Sequence, residues 1–314
     1  MKKWIPIVVI TLLALILAGI KIYSTYPEAV TSLFHNNEGT NSPSSINKGT
    51  VTKSKHRDSS KGSTFPFNTE SDKQLAKKYP DKFSIVNKMY YAWDYIHNAQ
   101  GSYQWGHSKD EMNQINFYVD FDHHKNRATN KQYENGKVVE TTDVLFNRDS
   151  ALLKRPEQKI YTKDTPKRIR GQSVGDFEDQ YIGMFNQMVT SSEWWSLLFS
   201  NYTNWNYKEG TQFGMPVYQI KGTIPSNVSE DLQGSFTMVV SKNTGALLDL
   251  KCYGQKNRVI FFVTIGGIRI NKGVDPKVFH LDISGNKQVS FKEYIDRSVN
   301  STSAPKPSGG VNTP

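Results

Sequence analysis

Residues 114–121 read QINFYVDF. Ile115, Phe117, Val119 and Phe121 alternate with Gln114, Asn116, Tyr118 and Asp120. A period of two puts the first set on one face of a strand and the second on the other, so one face is buried and one is mostly wet. The same pattern returns down the chain. Asn135-Gly136 favours a tight type I′ hairpin between its flanking strands. Asn147–Ser150 and Lys154–Glu157 mark the next turns. Val217–Lys221, the alternating Phe236, Met238 and Val240, a turn at Lys242–Gly245, Leu247–Tyr253, Arg258–Ile265 and Gly267–Ile270 read as further strands.

Two helical stretches interrupt this series. Pro80 and a capping Asp81 open the first, in which Val86, Met89, Tyr90, Trp93, Ile96 and His97 share a face. The second, Phe177–Phe199, carries Tyr181, Met184, Phe185, Met188, Trp194 and Trp195, with a break expected at Ser191-Ser192-Glu193. One early helix, about five strands, a helical insertion and about five more strands describe an α+β fold. Consecutive antiparallel strands with tight turns form a meander that curls as it twists. The expected architecture is a curved antiparallel half-barrel of about 10–11 strands with helices on its concave face.

The ends of the chain differ in kind. Trp4–Ile20 is uncharged and follows Lys2 and Lys3. At ~1.5 Å per residue it reaches about 25 Å, the lower limit for a membrane span. Residues 1–23 are expected to be an N-terminal transmembrane helix, amino terminus inside because Lys2 and Lys3 outweigh Lys21. A cleaved signal peptide is the alternative, although no small-x-small site is complete near Ala18 or Ser24. Either way the following domain is exported. The expected localisation is the cell membrane, single-pass, with the domain extracytoplasmic. Residues 24–67 are a polar linker rich in Ser, Thr, Asn, Gly and Lys, with a reach of about 35 Å as a flexible coil. Residues 68–300 form the domain, and 301–314, STSAPKPSGGVNTP, a disordered tail.

Composition narrows the function. The 314 residues carry a net charge of +10, with linker cations at Lys48, Lys53, Lys55, Arg57 and Lys61. Beside a membrane, that charge suits anionic lipid or polymer. Nucleic acid is not an expected partner of an exported domain. The single Cys252 makes no internal disulfide; Leu248, Leu250 and Cys252 alternate on one strand face, which makes it a small core residue. Asp120, Asp122, His123 and His124 form the densest polar cluster. Asp120, Asp122 and His124 share a strand face, but the cluster stands at a strand end where solvated residues are ordinary, so no metal and no cofactor are expected. No P-loop, dinucleotide fingerprint, nucleophile elbow or carboxylate pair emerges, and no enzyme is expected.

The order of elements resembles the LolA-like family: periplasmic lipoprotein carriers, with lipid-binding lipoproteins and RseB-type stress sensors as structural relatives. The likeness covers residues 72–290. A helix comes first, then Phe117–Phe121 running into His123-His124-Lys125-Asn126-Arg127. A hairpin follows, then Ala151-Leu152-Leu153 closing in Arg155-Pro156-Glu157-Gln158. Ile268-Arg269-Ile270-Asn271-Lys272-Gly273-Val274-Asp275-Pro276, with Phe279 and Gly285, is the best match. Asn147-Arg148 stands where the family has Asp-Gly, and Leu281 and Ile283 where it favours Phe and Pro-Pro. The resemblance implies the half-barrel and an apolar cavity. Trp93, Phe117, Val119, Tyr181, Met184, Phe185, Met188 and Trp194 are its candidate lining. The expected ligand is a lipid, the acyl chain of a lipoprotein or another amphiphile. The alternative is an envelope-stress sensor or regulator that binds a protein partner, such as a membrane protein.

Overall fold

The computed structural model describes residues 70–148, 150–165, 194–199 and 201–301. The fold is α+β, with one open, curved sheet of twelve strands. Helices α1 (Glu70–Lys78), α2 (Pro80–Tyr90) and the short α3 (Ala92–Tyr95) come first. Six strands follow: β1 (Asn98–Gly106), β2 (Met112–Asp120), β3 (Lys125–Glu134), β4 (Lys137–Asn147), β5 (Ser150–Arg155) and β6 (Ile160–Asp164). After 3-10 turns at Trp194–Leu197 and Tyr202–Asn204 come β7 (Trp205–Gln212), β8 (Met215–Ile224), β9 (Gly234–Ser241), β10 (Leu247–Tyr253) and β11 (Val259–Ile270). The short β12 (Lys287–Gln288) and helix α4 (Phe291–Ser301) close the domain.

The strand order is β12-β6-β5-β4-β3-β2-β1-β11-β10-β9-β8-β7. Two meanders, β1–β6 and β7–β11, are therefore joined along β1 and β11. These pair antiparallel from Ala99↔Ile270 to Gly106↔Phe262, with an irregularity between Ser102 and Tyr103. Gly101 lies beside it, and a Cβ there would collide with the Gly267 carbonyl oxygen. Only glycine permits this approach, so the seam bends at a fixed place. Gly222 does a similar thing at the far edge, where a Cβ would stand 2.5 Å from Trp205 Cβ.

The expected turn chemistry holds at Asn135 and Gly136, with φ of 51° and 72°, the left-handed pair that a type I′ turn requires. Ile115, Phe117 and Val119 are completely buried, as their alternation predicts. They join a core with Ile85, Val86 and Met89 of α2 and Tyr294 of α4. Burying each large apolar side chain stabilises the fold by roughly 1.5–3 kcal/mol.

Several expectations are corrected. The strands number twelve because β7, with exposed Asn206, Lys208 and Glu209, lacks a clean apolar alternation, and β12 is only two residues long, pairing parallel to β6. The predicted strands at 258–265 and 267–270 are one strand, β11, running through Gly266-Gly267. Asp81 does not cap α2: Tyr79 is at the N-cap and Pro80 opens the first turn, where its missing N–H costs nothing. A separate helix, α1, precedes it. The end of the predicted helix 177–199 is a 3-10 turn at Trp194–Leu197; residues 177–193 lie outside the described ones.

The localisation is also corrected. Among the described residues no helix is long and apolar enough to cross a membrane. The longest have 11 residues, about 16 Å against the ~30 Å of a hydrocarbon core. The single-pass placement thus has no spanning element among them; the expected span at 1–23, like the linker at 24–67 and the tail after Ser301, lies outside the described residues.

A buried cation fastens α4 to the sheet. Arg155 on β5 is 3% exposed. Its Nε donates to Glu140 Oε1 at 3.0 Å, its Nη1 donates to the Tyr294 carbonyl oxygen, and the guanidinium lies 4.0 Å from the Tyr294 ring centre. Removing the guanidinium leaves Glu140 without its cation and α4 without its anchor. Arg155→Ala should therefore destabilise the domain by about 3 kcal/mol or more, read as a lower urea midpoint. A midpoint within error of the parent would show that the pair is dispensable.

Candidate functional site

The covered face of the sheet can be read row by row from the register. Val119, Asn126, Phe146 and Ala151 stand side by side across β2 to β5. The next row is Phe117, Ala128, Val144, Leu153 and Thr162, and the one beyond begins Ile115, Asn130, Thr142. Tyr103 on β1 lies opposite Ile115, with its ring 6.0 Å from that of Phe117. Tyr103, Ile115, Phe117, Val119, Ala128, Val144 and Phe146 are all buried, and burial raises the Tyr103 phenol well above its ordinary pKa. This apolar strip is the candidate site.

Two helices are fastened toward the two edges of the sheet. Arg155 ties α4 to the β5–β6 side. On the other side, Lys82 of α2 donates to the Tyr202 carbonyl at 2.7 Å, to the Trp205 carbonyl, and to Asn206 Oδ1 at 3.3 Å. Its ammonium also lies 4.8 Å from the Trp205 ring centre. Desolvation at this contact lowers the Lys82 pKa. The end of α2 rests on the β9–β10 turn, where a Cβ on Gly245 would overlap the Lys88 carbonyl.

The chain returns to the sheet at Trp194, whose ring stacks 5.2 Å from Phe261 of β11. Trp195 meets Tyr90 edge-on at 5.1 Å and Phe199 at 5.5 Å. Contacts through Tyr202, Trp205 and Tyr207 extend this set to Tyr218. Such pairs add about 0.5–1.5 kcal/mol each beyond buried area.

Of the eight predicted lining residues, Phe117 and Val119 are neighbours on β2 in the middle of the strip, and Trp194 sits over β11. Trp93 is on α3, with its side chain outside the description. Tyr181, Met184, Phe185 and Met188 also lie outside the described residues. Sequence reasoning missed Arg155, Glu140 and Lys82. A buried arginine gives no periodic signal, although Arg155-Pro156 reads as a strand end.

Asp120 and His123 of the polar cluster pair with each other, and Asp122 pairs with His97 from outside it. His123 Nδ1 lies 2.8 Å from Asp120 Oδ2, and His97 Nδ1 lies 3.2 Å from Asp122 Oδ1. Among the described residues no three His, Cys, Asp or Glu side chains converge as metal ligands would. A separate cleft of about 700 Å³ opens where the β8–β9 and β10–β11 loops meet. Its lining includes Pro225, Glu230, Asp231, Gln233, Tyr253 and Ile260, a mixed polar surface unlike the strip.

No protein-family model matches this chain, and no curated protein does. Solved structures similar to it include MucB and a LolA superfamily protein. MucB is 12% identical with a TM-score of 0.39, over 66% of this chain and 65% of MucB. A chain of the Pseudomonas aeruginosa MucA/MucB complex gives 13% and 0.36, over 67% of this chain and 63% of that one. This chain thus spans just under two thirds of each. A LolA superfamily protein from Nitrosomonas europaea is 7% identical with a TM-score of 0.22, over 64% of this chain and 98% of its own.

Cys252 is fully buried on β10, and burial pushes its thiol up to about 12. The nucleophile is the thiolate, so the native protein should be inert to a thiol reagent at pH 8. It should release one equivalent only in denaturant. Rapid native labelling would mean that β10 opens locally.

Proposed function

We propose that this domain binds an amphiphile, a lipid or the acyl chain of a lipoprotein, between its sheet and the helices that cover it, and performs no chemistry on it. The observation that carries this reading is the strip itself. Across β1 to β5 the face is mainly apolar over several rows, broken by Asn126 and Asn130 of β3, while Arg155 and Lys82 fasten the covering helices at β5 and beside β7. Apolar contact is enough for such a ligand: burying acyl chain contributes about 0.8 kcal/mol per methylene. Ten methylenes give about 8 kcal/mol before the costs of association and ordering are subtracted. Phe117, Val119, Trp93 and Trp194 are proposed as lining, together with Tyr181, Met184, Phe185 and Met188 from the chain between β6 and Trp194.

The purified full chain should yield co-extracted lipid in organic solvent by mass spectrometry and should bind a fluorescent fatty-acid probe. Met184→Asp should abolish probe binding without moving the melting temperature. A parent protein that carries no lipid and ignores the probe would end this reading. Unfolding of the variant would instead place Met184 in solid core.

A second reading, a sensor or regulator that binds a protein partner, is favoured by the edge of the sheet. β7 pairs with β8 alone. No described strand lies on its other side, and such an edge is a template for an added strand. Crosslinking in intact cells should then recover one dominant partner, and substituting Pro for Lys208 should reduce its yield. A diffuse ladder of products would count against it.

A further inference from the structure

Strand β3 turns three unlike residues toward the covered face: Asn126, Ala128 and Asn130. The strands on either side do not match them. β2 places Val119, Phe117 and Ile115 opposite, and β4 places Phe146, Val144 and Thr142. The middle strand is therefore a trough, polar at both ends and small at its centre, between two mainly apolar ridges. Ala128 is 1% exposed and Asn126 is completely buried.

The amide of Asn130 is half satisfied. Its Nδ2 donates to Asn113 Oδ1 at 3.2 Å. Its Oδ1 is shut off from solvent and receives no hydrogen bond among the described residues. A buried carbonyl oxygen without a donor is costly, so such groups are normally paired with protein, ordered water or ligand. An amide oxygen only accepts, so whatever completes it must donate.

We infer that the β3 trough receives the polar linkage of the bound amphiphile, and that the ligand carries an internal hydrogen-bond donor, an amide N–H or a hydroxyl, directed at Asn130 Oδ1. The inference rests on the amphiphile reading and deepens it. The apolar ridges would hold hydrocarbon on either side of the linkage. A simple hydrocarbon chain would fill the same trough and leave the oxygen unpaired.

Three fluorescent amphiphiles of equal length and identical ends test this with the full chain. One carries a central amide, one an ester and one a secondary hydroxyl. Amide and ester differ by a single N–H. The amide or the hydroxyl probe should bind about two- to tenfold more tightly than the ester, the range of one net hydrogen bond. The arm that gains names the donor. Asn130→Leu should bring the ratio to about one and keep ester affinity within twofold, because it removes the oxygen that tells the probes apart, while the donor lost to Asn113 Oδ1 is lost alike in all three arms. Equal affinities of all three probes for the parent protein would overturn the inference while leaving the amphiphile reading intact, with water as the partner of Asn130. Failure of all three to bind would overturn both. If Asn130→Leu does not fold, the ratios for the parent protein decide alone.

Discussion

The pairing of β1 with β11 is the contact on which the rest of the molecule depends. Each meander alone would have apolar strand edges in the middle of its own core. Joined, they form a single sheet whose only ends are β12 and β7. The join has a further consequence. β6 and β7 follow one another in the chain, yet stand second and twelfth in the strand order. Ten spacings at ~4.8 Å amount to about 48 Å along the sheet. The chain that leaves at Asp164 must come back at the opposite edge. The stack of Trp194 on Phe261, at the central strand β11, marks where that return meets the covered face.

A face this wide needs cover, and the cover is fastened in an economical way. α2 and α4 are each held by one long cation that reaches backbone carbonyls: Lys82 to Tyr202 and Trp205, Arg155 to Tyr294. Both cations also lie over an aromatic ring. Their environments differ. Arg155 is buried and paired with Glu140, which suits a planar, weakly hydrated guanidinium. Lys82 stays partly wetted, which suits a strongly hydrated ammonium. The two fastenings thus stand toward the two edges of the sheet, where they fix position, and the strip between is mainly apolar, interrupted by Asn126 and Asn130 of β3.

The sheet was legible in the sequence because period-two alternation and turn residues are local signals. Ile115 to Val119, Asn135-Gly136 and Leu247 to Tyr253 all stand where that logic puts them. β7 was not legible, since its stability comes from Trp205 packing beside Gly222 rather than from its own pattern. Helix α4 was missed for a similar reason: Tyr294, the one buried side chain among those described in it, is secured by Arg155 from a strand 139 residues away in sequence. The candidate site was half legible. Alternation identifies Phe117 and Val119 as inward-facing, but only the register shows that Ala128 and Val144 continue their row. Sequence alone could not show that Asn126 and Asn130 face inward, because β3 reads as a polar strand, KNRATNKQYE.

That polar strand bears on what the strip is for. A central strand chosen for stability would carry Val or Ile toward the core. β3 instead spends three inward positions on two asparagines and an alanine, beside Phe117, Val144 and Phe146. Each asparagine brings a desolvation cost that must be met by hydrogen bonds. Alanine forfeits most of the burial energy that a larger residue would provide. Sequences tolerate such losses where a site demands them, and an unpaired buried oxygen next to a small side chain is what a site for a partly polar guest requires. The same residues in a purely structural sheet would be an unrewarded weakness at its centre, flanked on both sides by strands that show how readily the position could be filled.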